Sequence, residues 1–495
     1  MKLLQNIDPR GIFLILHYLS LYISIILISP MDTKTFYHDK TKRRRISYSD
    51  PPSLSSSFTT GAFPNSKEFD ELYELGQQNR VTLHEFEEKN IVMDAPISSI
   101  TWFSGDVQSA ASLIRSRVKA IAAKNPWICG RLQREYCGDN TSPMQLVYKE
   151  TSGGEMNIED LFIFHSIHDL YKSHDFCLGL NLQETTMLAK KYEYIVKPAK
   201  ELVDFDEPIF KVAVIPDSSQ PNQFALTVSL SHRVGDGFTF YALYNMIGGD
   251  PIVSLNPERN LDVVKSIEER MGKKMLEGIN GLWVKLLFVR DILWSKVKGA
   301  KWGQKIFLLN EEYVKSVKED ESALEVCGRI PSTNDIIVST CFKVAKPDVG
   351  LMCINFRGRI ENCGEFDAPN YFNTIIYRPR DYDSPSLIRK SITGGRFERA
   401  GTPPTVLIAS TPMLLMGNCH VSICTNWSTF YSDNFTLGPD IKHILHLPLK
   451  DMQYAAPSLM SNFTIFKPCP GKIAICVTGT PEMVESMSRS HLVGP

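Results

Sequence analysis

The chain of 495 residues is long enough for two or three structural units, and its apolar fraction of 43% is sufficient for large cores. Lysine and arginine total 54 against 55 for aspartate and glutamate, so the chain has no basic surplus and nucleic-acid binding is disfavoured. The 11 cysteines show no zinc-type spacing, which indicates a reducing compartment and predicts no metal site.

The N-terminal residues 1–30 form a predicted hydrophobic leader or membrane anchor. Residues 11–28 contain no aspartate, glutamate, lysine or arginine, and their length is borderline for one membrane crossing. Basic residues are more numerous after this segment than before it, which places the body of an anchored protein in the cytosol. A start at Met31 would remove the segment, so a cytoplasmic location is expected with membrane association through residues 11–28 left open. Residues 31–66 are basic and then Ser/Pro-rich, which predicts a disordered linker.

The predicted N-terminal half spans residues 67–250. Residues 97–103 read as a strand and residues 107–123 as an amphipathic helix, which Pro126 prevents from continuing. Three nearby histidines suggest a metal site, but no cysteine supports them and their register does not match a zinc-enzyme motif. We therefore predict no metal at this cluster, which consists of His165, His168 and His174.

Residues 224–247 carry the strongest local pattern. Apolar residues alternate with small or polar ones at the start of this stretch, which predicts a strand: Phe224, Leu226, Val228 and Leu230. Helical spacing follows and ends at Gly248. A histidine between these elements, His232, is rigidly placed and reachable, as a general base must be. The residues alone also allow a structural histidine, with Asp236 as the N-cap of the helix.

The remainder divides into a predicted helical crossover, residues 251–331, and a C-terminal half, residues 332–495. Within the crossover, residues 282–302 combine aromatic residues with lysines. Such a stretch suits a membrane interface or a helix packed between two halves. The C-terminal half begins with a capping pattern at residues 332–335, and residues 351–356 and 420–427 read as strands.

Several motifs in fixed order resemble the CoA-dependent acyltransferase superfamily. Residues 231–237, Ser-His-x-x-x-Asp-Gly, resemble its HxxxDG signature. The sequences STND at 332–335, NFRGR at 355–359 and NYFN at 370–373 resemble an order found in BAHD acyltransferases, with a departure at Asn373. The resemblance covers residues 96–490 and also includes chloramphenicol acetyltransferase and peptide-synthetase condensation domains.

The family has an Asp-Phe-Gly-Trp-Gly element after a Ser-Trp pair. In this chain Asn426 and Trp427 occupy the place of the pair, and of the following element only Phe435 and Gly438 agree. The resemblance implies an α/β fold, a mixed-sheet sandwich of two chloramphenicol-acetyltransferase-like halves with a channel between them.

The resemblance also implies roles for individual residues. His232 would be the general base, and Asp236, paired with it in the catalytic signature, would brace the turn through Arg357 or Arg359. Gly237, Asn426 and Trp427 would contact substrate. The oxyanion donor would be Asn426, Trp427 or a backbone N–H near Gly237, and the sequence does not decide among them. The structural residues would be Arg357, Arg359, Phe435 and Gly438.

The implied activity is transfer of an acyl group from acyl-CoA to the hydroxyl or amine of a small acceptor. Acyl-CoA would be a co-substrate, with no cofactor bound, and the apolar leader suggests a lipophilic acceptor. Two alternatives stay open: a non-catalytic binding scaffold with the same fold, and a condensation-type enzyme that uses carrier-bound acyl groups. A monomer is expected, and the sequence specifies neither the acyl chain nor the acceptor.

Overall fold

The computed structural model describes residues 78–134, 142–150, 158–164, 182–217, 220–271, 302–320, 328–393, 420–450 and 460–494. The predicted leader and linker, the three-histidine cluster and residues 282–301 of the aromatic and lysine-rich stretch lie outside these ranges. Within the described ranges, no helix has the length and apolar character needed to cross a membrane.

Fourteen strands and nine α-helices follow one another in the described residues. The strands are β1 Gln78–Thr82, β2 Ile97–Ser104, β3 Arg131–Arg134, β4 Met144–Lys149, β5 Phe162–Phe164, β6 Phe210–Pro216, β7 Gln223–Leu230, β8 Gly303–Leu308, β9 Val349–Asn355, β10 Phe372–Tyr377, β11 Val421–Asn426, β12 Lys442–Leu449, β13 Met460–Phe466 and β14 Ala474–Gly479. The helices are α1 Glu85–Lys89, α2 Val107–Lys124, α3 Leu182–Lys191, α4 Gly237–Ile247, α5 Leu261–Met271, α6 Glu311–Glu319, α7 Thr333–Ala345, α8 Pro385–Thr393 and α9 Pro481–Ser488.

The first sheet has the strand order β12-β2-β7-β6-β5, and β5 and β6 are its parallel pair. The alternation in β7 sends Leu226 and Val228 into the core shared with α2 and α4, while Ala225 faces the opposite side. Asp106 caps α2 by accepting a 2.6 Å hydrogen bond from the Ser109 amide. The predicted strand 97–103 and helix 107–123 are confirmed to within one residue.

The second sheet has the order β10-β9-β11-β13-β14-β8, and β11 runs parallel to both of its neighbours. One face packs on α5, α7 and α9 through residues such as Phe463 and Ile465. The capping box predicted at Ser332 and Asp335 is present at the start of α7. A smaller three-stranded sheet, β1-β4-β3, completes the described fold.

Part of the stretch predicted as a helical crossover is a strand. Residues 261–271 are helical, but β8 pairs antiparallel with β14 at the edge of the second sheet. Only one residue of β8, Phe307, is buried. An edge strand with so little buried surface has no clear apolar alternation, so the sequence pattern could not distinguish it from the flanking segment.

Strand β12 joins the two halves. It lies late in the chain but pairs antiparallel with β2 of the first sheet, with Leu449 opposite Ser98. Its buried His446 is hydrogen-bonded through Nδ1 to Thr101 Oγ1 at 2.8 Å and through Nε2 to the Tyr241 hydroxyl at 3.0 Å. A third apolar cluster, which includes Trp102, Leu447 and Phe466, lies where the two sheets meet. The architecture is thus mixed α/β, with two sheet-and-helix halves that pack against each other.

Candidate active site

His232 lies at the boundary between the two halves. Strand β7 ends at Leu230, the Ser231 amide donates to the Ile209 carbonyl at 2.8 Å, and α4 begins at Gly237. The imidazole is half-buried, and its ring centroid lies 5.7 Å from that of Phe372 on β10. The turn predicted from residues 232–237 therefore presents the histidine to the second half of the molecule.

Asn370 fixes the tautomer of His232. Its Nδ2 lies 2.9 Å from Glu87 Oε1 and 2.9 Å from the His232 carbonyl oxygen. Both partners can only accept a hydrogen bond, so this atom must be the amide nitrogen and the opposite atom must be the oxygen. That oxygen, Oδ1, is 3.1 Å from His232 Nδ1. His232 therefore carries its proton on Nδ1, and Nε2 keeps a lone pair.

Glu87 and Arg259 support Asn370. Glu87 is fully buried and accepts from the backbone amide of Asn370 at 3.1 Å and from Arg259 Nε at 3.1 Å. Burial alone would raise the pKa of Glu87, but the Arg259 charge and the hydrogen bonds from Arg259 and Asn370 outweigh it and lower the pKa. The carboxylate is therefore ionised at neutral pH and holds the asparagine in one orientation.

The electrostatic environment keeps His232 neutral. Burial lowers the pKa of His232, and the opposing influences, including the Asp236 charge and the hydrogen bond to Asn370, only partly offset it. A general base must be unprotonated at the working pH. The imidazole thus meets this requirement at pH 7 with its acceptor nitrogen, Nε2, defined by the bond at Nδ1.

Asp236 and Arg357 form a buried brace under the turn. Asp236 caps α4 by accepting from the Thr239 amide at 3.2 Å, and its other oxygen accepts from Arg357 Nη1 at 2.8 Å. Arg357 also donates to the carbonyl oxygens of Asp367 at 2.8 Å and Pro369 at 2.5 Å. Because Pro369 precedes Asn370, one guanidinium holds both the histidine turn and the segment that contacts the histidine.

Of the two arginines predicted as partners of Asp236, Arg357 makes the contact. Arg359 is exposed on the same turn, two residues further along the chain. The side chain of Asp236 is only 5% exposed. Its described contacts are with Thr239 and Arg357, beneath the turn.

Gly237, Trp427 and Asn426 lie on the other side of the turn. A β-carbon built on Gly237 would be 3.0 Å from Trp427 Nε1, so the glycine allows the indole to approach the backbone. Asn426 donates to Asn334 Oδ1 at 2.9 Å and accepts from the Ser428 amide at 2.9 Å. Asn426 thus anchors the end of β11, and contact of these residues with substrate stays a prediction.

Phe435 and Gly438 are structural in this fold. The Phe435 ring stacks on Tyr244 of α4 at a centroid distance of 4.6 Å. A β-carbon on Gly248 would lie 2.1 Å from the same ring, so this close approach requires the glycine at the end of α4. Gly438 has φ +116°, a conformation that side chains rarely adopt.

Three residues of the site were not predicted from the sequence: Glu87, Asn370 and Arg259. Asn370 lies within the NYFN stretch but had no role assigned to it. Glu87 belongs to the short helix α1, where its capping-box pairing with His84 is its only local signal. The contact of Asn370 with His232 and that of Glu87 with Arg259 each join residues far apart in the sequence. No rule of sequence spacing could therefore identify them.

A metal centre has no support in the described part of the chain, where no group of three or more His, Cys, Asp or Glu side chains could hold an ion. The prediction for the histidines at 165–174 falls outside these residues and is untested.

No family model and no curated protein sequence matches this chain. Solved structures do match its fold. TRI101 of F. graminearum in complex with coenzyme A and deoxynivalenol has a TM-score of 0.51 at 9% identity, over 83% of this chain and 98% of that one. The first condensation domain of the calcium-dependent antibiotic synthetase, in complex with a substrate analogue, has a TM-score of 0.51 at 10% identity, over 83% and 94%. The chain therefore has the two-domain, chloramphenicol-acetyltransferase-like fold of the CoA-dependent acyltransferases.

Proposed function

We propose that this protein transfers an acyl group from acyl-CoA to the hydroxyl or amine of a small acceptor. The observation that carries the proposal is the state of His232: a neutral imidazole at the boundary of the halves, with Nδ1–H directed to Asn370 and Nε2 left as the acceptor. The similarity to TRI101, whose structure contains coenzyme A together with deoxynivalenol, supports a CoA thioester and a small acceptor as substrates. The channel through which both would enter stays a prediction.

In the proposed mechanism, Nε2 of His232 takes the proton of the acceptor as its oxygen or nitrogen attacks the thioester carbonyl. The tetrahedral intermediate collapses, the bond from carbon to sulfur breaks, and the proton passes from His232 to the CoA thiolate. A well-placed base accelerates such a step by about 10²–10⁴-fold. Since CoA is already a good leaving group, no covalent intermediate on the protein is needed.

The intermediate carries a negative oxygen that needs hydrogen-bond donors. The Trp427 indole N–H is our leading candidate, because it lies against Gly237 at the start of α4. Asn426 is a weaker candidate, since its amide already serves Asn334 and Ser428. Asp236 acts as a positioning residue through Arg357.

A condensation-type enzyme is the second candidate. The similarity to the condensation domain, with a TM-score of 0.51, favours this reading as strongly as the TRI101 similarity favours the first. In that case the same histidine would act on an acyl group held by a carrier protein. A binding scaffold without activity is the third candidate.

Release of free thiol distinguishes these functions. The full chain is incubated with acyl-CoAs of increasing length and a mixture of alcohols and amines, and in parallel with the same acyl groups on a phosphopantetheine carrier. We expect acceptor-dependent thiol release from acyl-CoA. Release from the carrier alone would support condensation, and binding of CoA without release from either donor would support a scaffold.

We also propose a cytosolic location for the catalytic body. The seven cysteines within the described residues are all free thiols, which fits a reducing compartment. Labelling of the intact cell with a membrane-impermeant thiol reagent, compared with a lysate, tests this location.

A further inference from the structure

Lys450 is a half-buried cation near the candidate active site that the proposed mechanism does not use. It follows β12 directly, and Leu449 pairs with Ser98, which in turn pairs with Ser229 of β7. Lys450 therefore leaves the first sheet at the same end as His232. Two strand spacings separate β12 from β7, which is about 10 Å.

The ammonium group is held by uncharged partners. Nζ donates to Asn462 Oδ1 and Thr464 Oγ1 on β13 and lies 5.8 Å from the ring centroid of Trp427. Trp427 is the same indole that packs on Gly237. The lysine and the end of the histidine turn thus lie close to the same aromatic side chain.

No carboxylate neutralises this cation within the described part of the chain. The two buried guanidinium groups of the site do have carboxylate partners, Asp236 for Arg357 and Glu87 for Arg259. The ionisable groups that face Lys450 are three thiols on β9, β11 and β14, and burial raises the pKa of each: Cys353, Cys424 and Cys476.

An ammonium group in this position is costly without a negative partner. Burial lowers the pKa of Lys450 to about 8, so it is still mostly protonated at pH 7. An unpaired buried charge destabilises a fold by several kcal/mol. An anion brought by a ligand would remove this cost, and among the described residues only two of the three N–H groups of the ammonium have an acceptor.

We propose that Lys450 binds a carboxylate of the substrate, carried by either the acyl group or the acceptor. This inference rests on the proposed acyltransferase function and narrows its substrate class. A carboxylate on a short acyl chain or a small aromatic acceptor would span the roughly 10 Å between the two strands.

Matched substrate pairs test the proposal in two arms. The first arm compares succinyl-CoA with butyryl-CoA, and the second compares 4-(hydroxymethyl)benzoate with benzyl alcohol. We expect the wild type to prefer the carboxylate in one arm, and Lys450→Met to lower that preference in kcat/KM about tenfold or more, as for a lost charge-assisted bond.

Lys211→Met is the matched control. Lys211 on β6 is buried, and burial lowers its pKa as it does that of Lys450. Its ammonium donates to the Glu193 carbonyl at 3.2 Å. This variant should retain the wild-type preference. The carboxylate preference of the wild type should also weaken as the pH rises through about 8, where Lys450 loses its proton.

An unchanged preference in both arms between the wild type and Lys450→Met would overturn the proposal. If no thioester is turned over, the same pairs are compared by calorimetric binding to the full chain. Equal affinities within each pair, or equal ratios in the wild type and Lys450→Met, would then overturn it too. Failure of the acyltransferase function alone would leave the binding preference intact.

Discussion

At the scale of single residues, the state of His232 depends on groups far away in the sequence. The imidazole needs one protonated nitrogen and one free nitrogen in a fixed direction, and Asn370 supplies that constraint through a bond of 3.1 Å. Glu87 in turn determines which way the amide points. A fully buried carboxylate thus controls which nitrogen of His232 keeps its lone pair.

We expect Asn370→Ala to reduce kcat by about 10- to 100-fold with little change in KM, because a misplaced base loses its alignment with the acceptor. The acid limb of the pH profile of kcat/KM should have its midpoint below 6.5 in the wild type, since burial lowers the pKa of His232. This midpoint should be lower still in Asn370→Ala, because the hydrogen bond from Asn370, which the variant lacks, favours the protonated imidazole. Steady-state kinetics from pH 5 to 8 measure both effects.

Asn125→Ala is the control for this experiment. Asn125 is another fully buried asparagine, which donates to the Val253 carbonyl at 2.8 Å and accepts from the Leu255 amide at 2.7 Å. Asn125→Ala should lower the free energy of unfolding about as much as Asn370→Ala does. The acid limb of its pH profile should stay at the wild-type position. An acid limb that shifts equally in both variants would argue against the assigned role of Asn370.

At the scale of elements, the brace under α4 depends on one buried ion pair. Removing Asp236 leaves Arg357 charged and buried, so Asp236→Ala should lower the free energy of unfolding by about 3–5 kcal/mol. Activity should fall together with stability. Glu311→Ala breaks the exposed pair with Lys472, which water screens, and should change the free energy of unfolding far less. Chemical denaturation provides both values, and a fully stable but inactive Asp236→Ala would instead assign Asp236 a direct catalytic role.

Strand β12 should make the fold sensitive to acid. Both ring nitrogens of His443 are buried and have no hydrogen-bond partner among the described residues. Its ring meets Phe103 edge-on at 5.5 Å, and burial lowers its pKa to about 4. The unfolded chain binds this proton near pH 6.5, so the stability that the neutral ring contributes is lost as the pH falls from 6.5 toward 4.

His443→Phe should remove part of this pH dependence. We expect the loss of unfolding free energy between pH 6.5 and 4.5 to be smaller in the variant by about 2 kcal/mol. Urea denaturation at several pH values measures it. Above pH 7 the wild type and the variant should show the same pH dependence, and identical curves below pH 6.5 would contradict the assignment.

Local patterns were sufficient to predict many elements. Strand β7, helix α2 and the start of α7 follow from alternation, helical spacing and a capping box, which are properties of neighbouring residues. The pairing of β12 with β2 could not be predicted, because it joins residues from opposite parts of the chain. The same limit applies to the site: His232 was predicted from its turn, whereas its contact with Asn370 exists only in the folded molecule.

At the scale of the whole molecule, the candidate site exists only because two halves meet. The first half provides His232 and Asp236, and the second provides Asn370 and Arg357, which define the imidazole and its turn. Strand β12 and the apolar cluster between the sheets hold this arrangement in place. The fold is therefore part of the proposed chemistry, since neither half alone contains a base with a defined free nitrogen.

The central claim is that His232 is the base for acyl transfer. The most direct measurement is the rate of thiol release from acyl-CoA by the wild type and by His232→Ala, with melting temperature and CoA affinity measured on the same samples. We predict a rate lower by about 10²–10⁴-fold in the variant, with unchanged melting and CoA binding. Release at the wild-type rate by a folded His232→Ala protein would contradict the account.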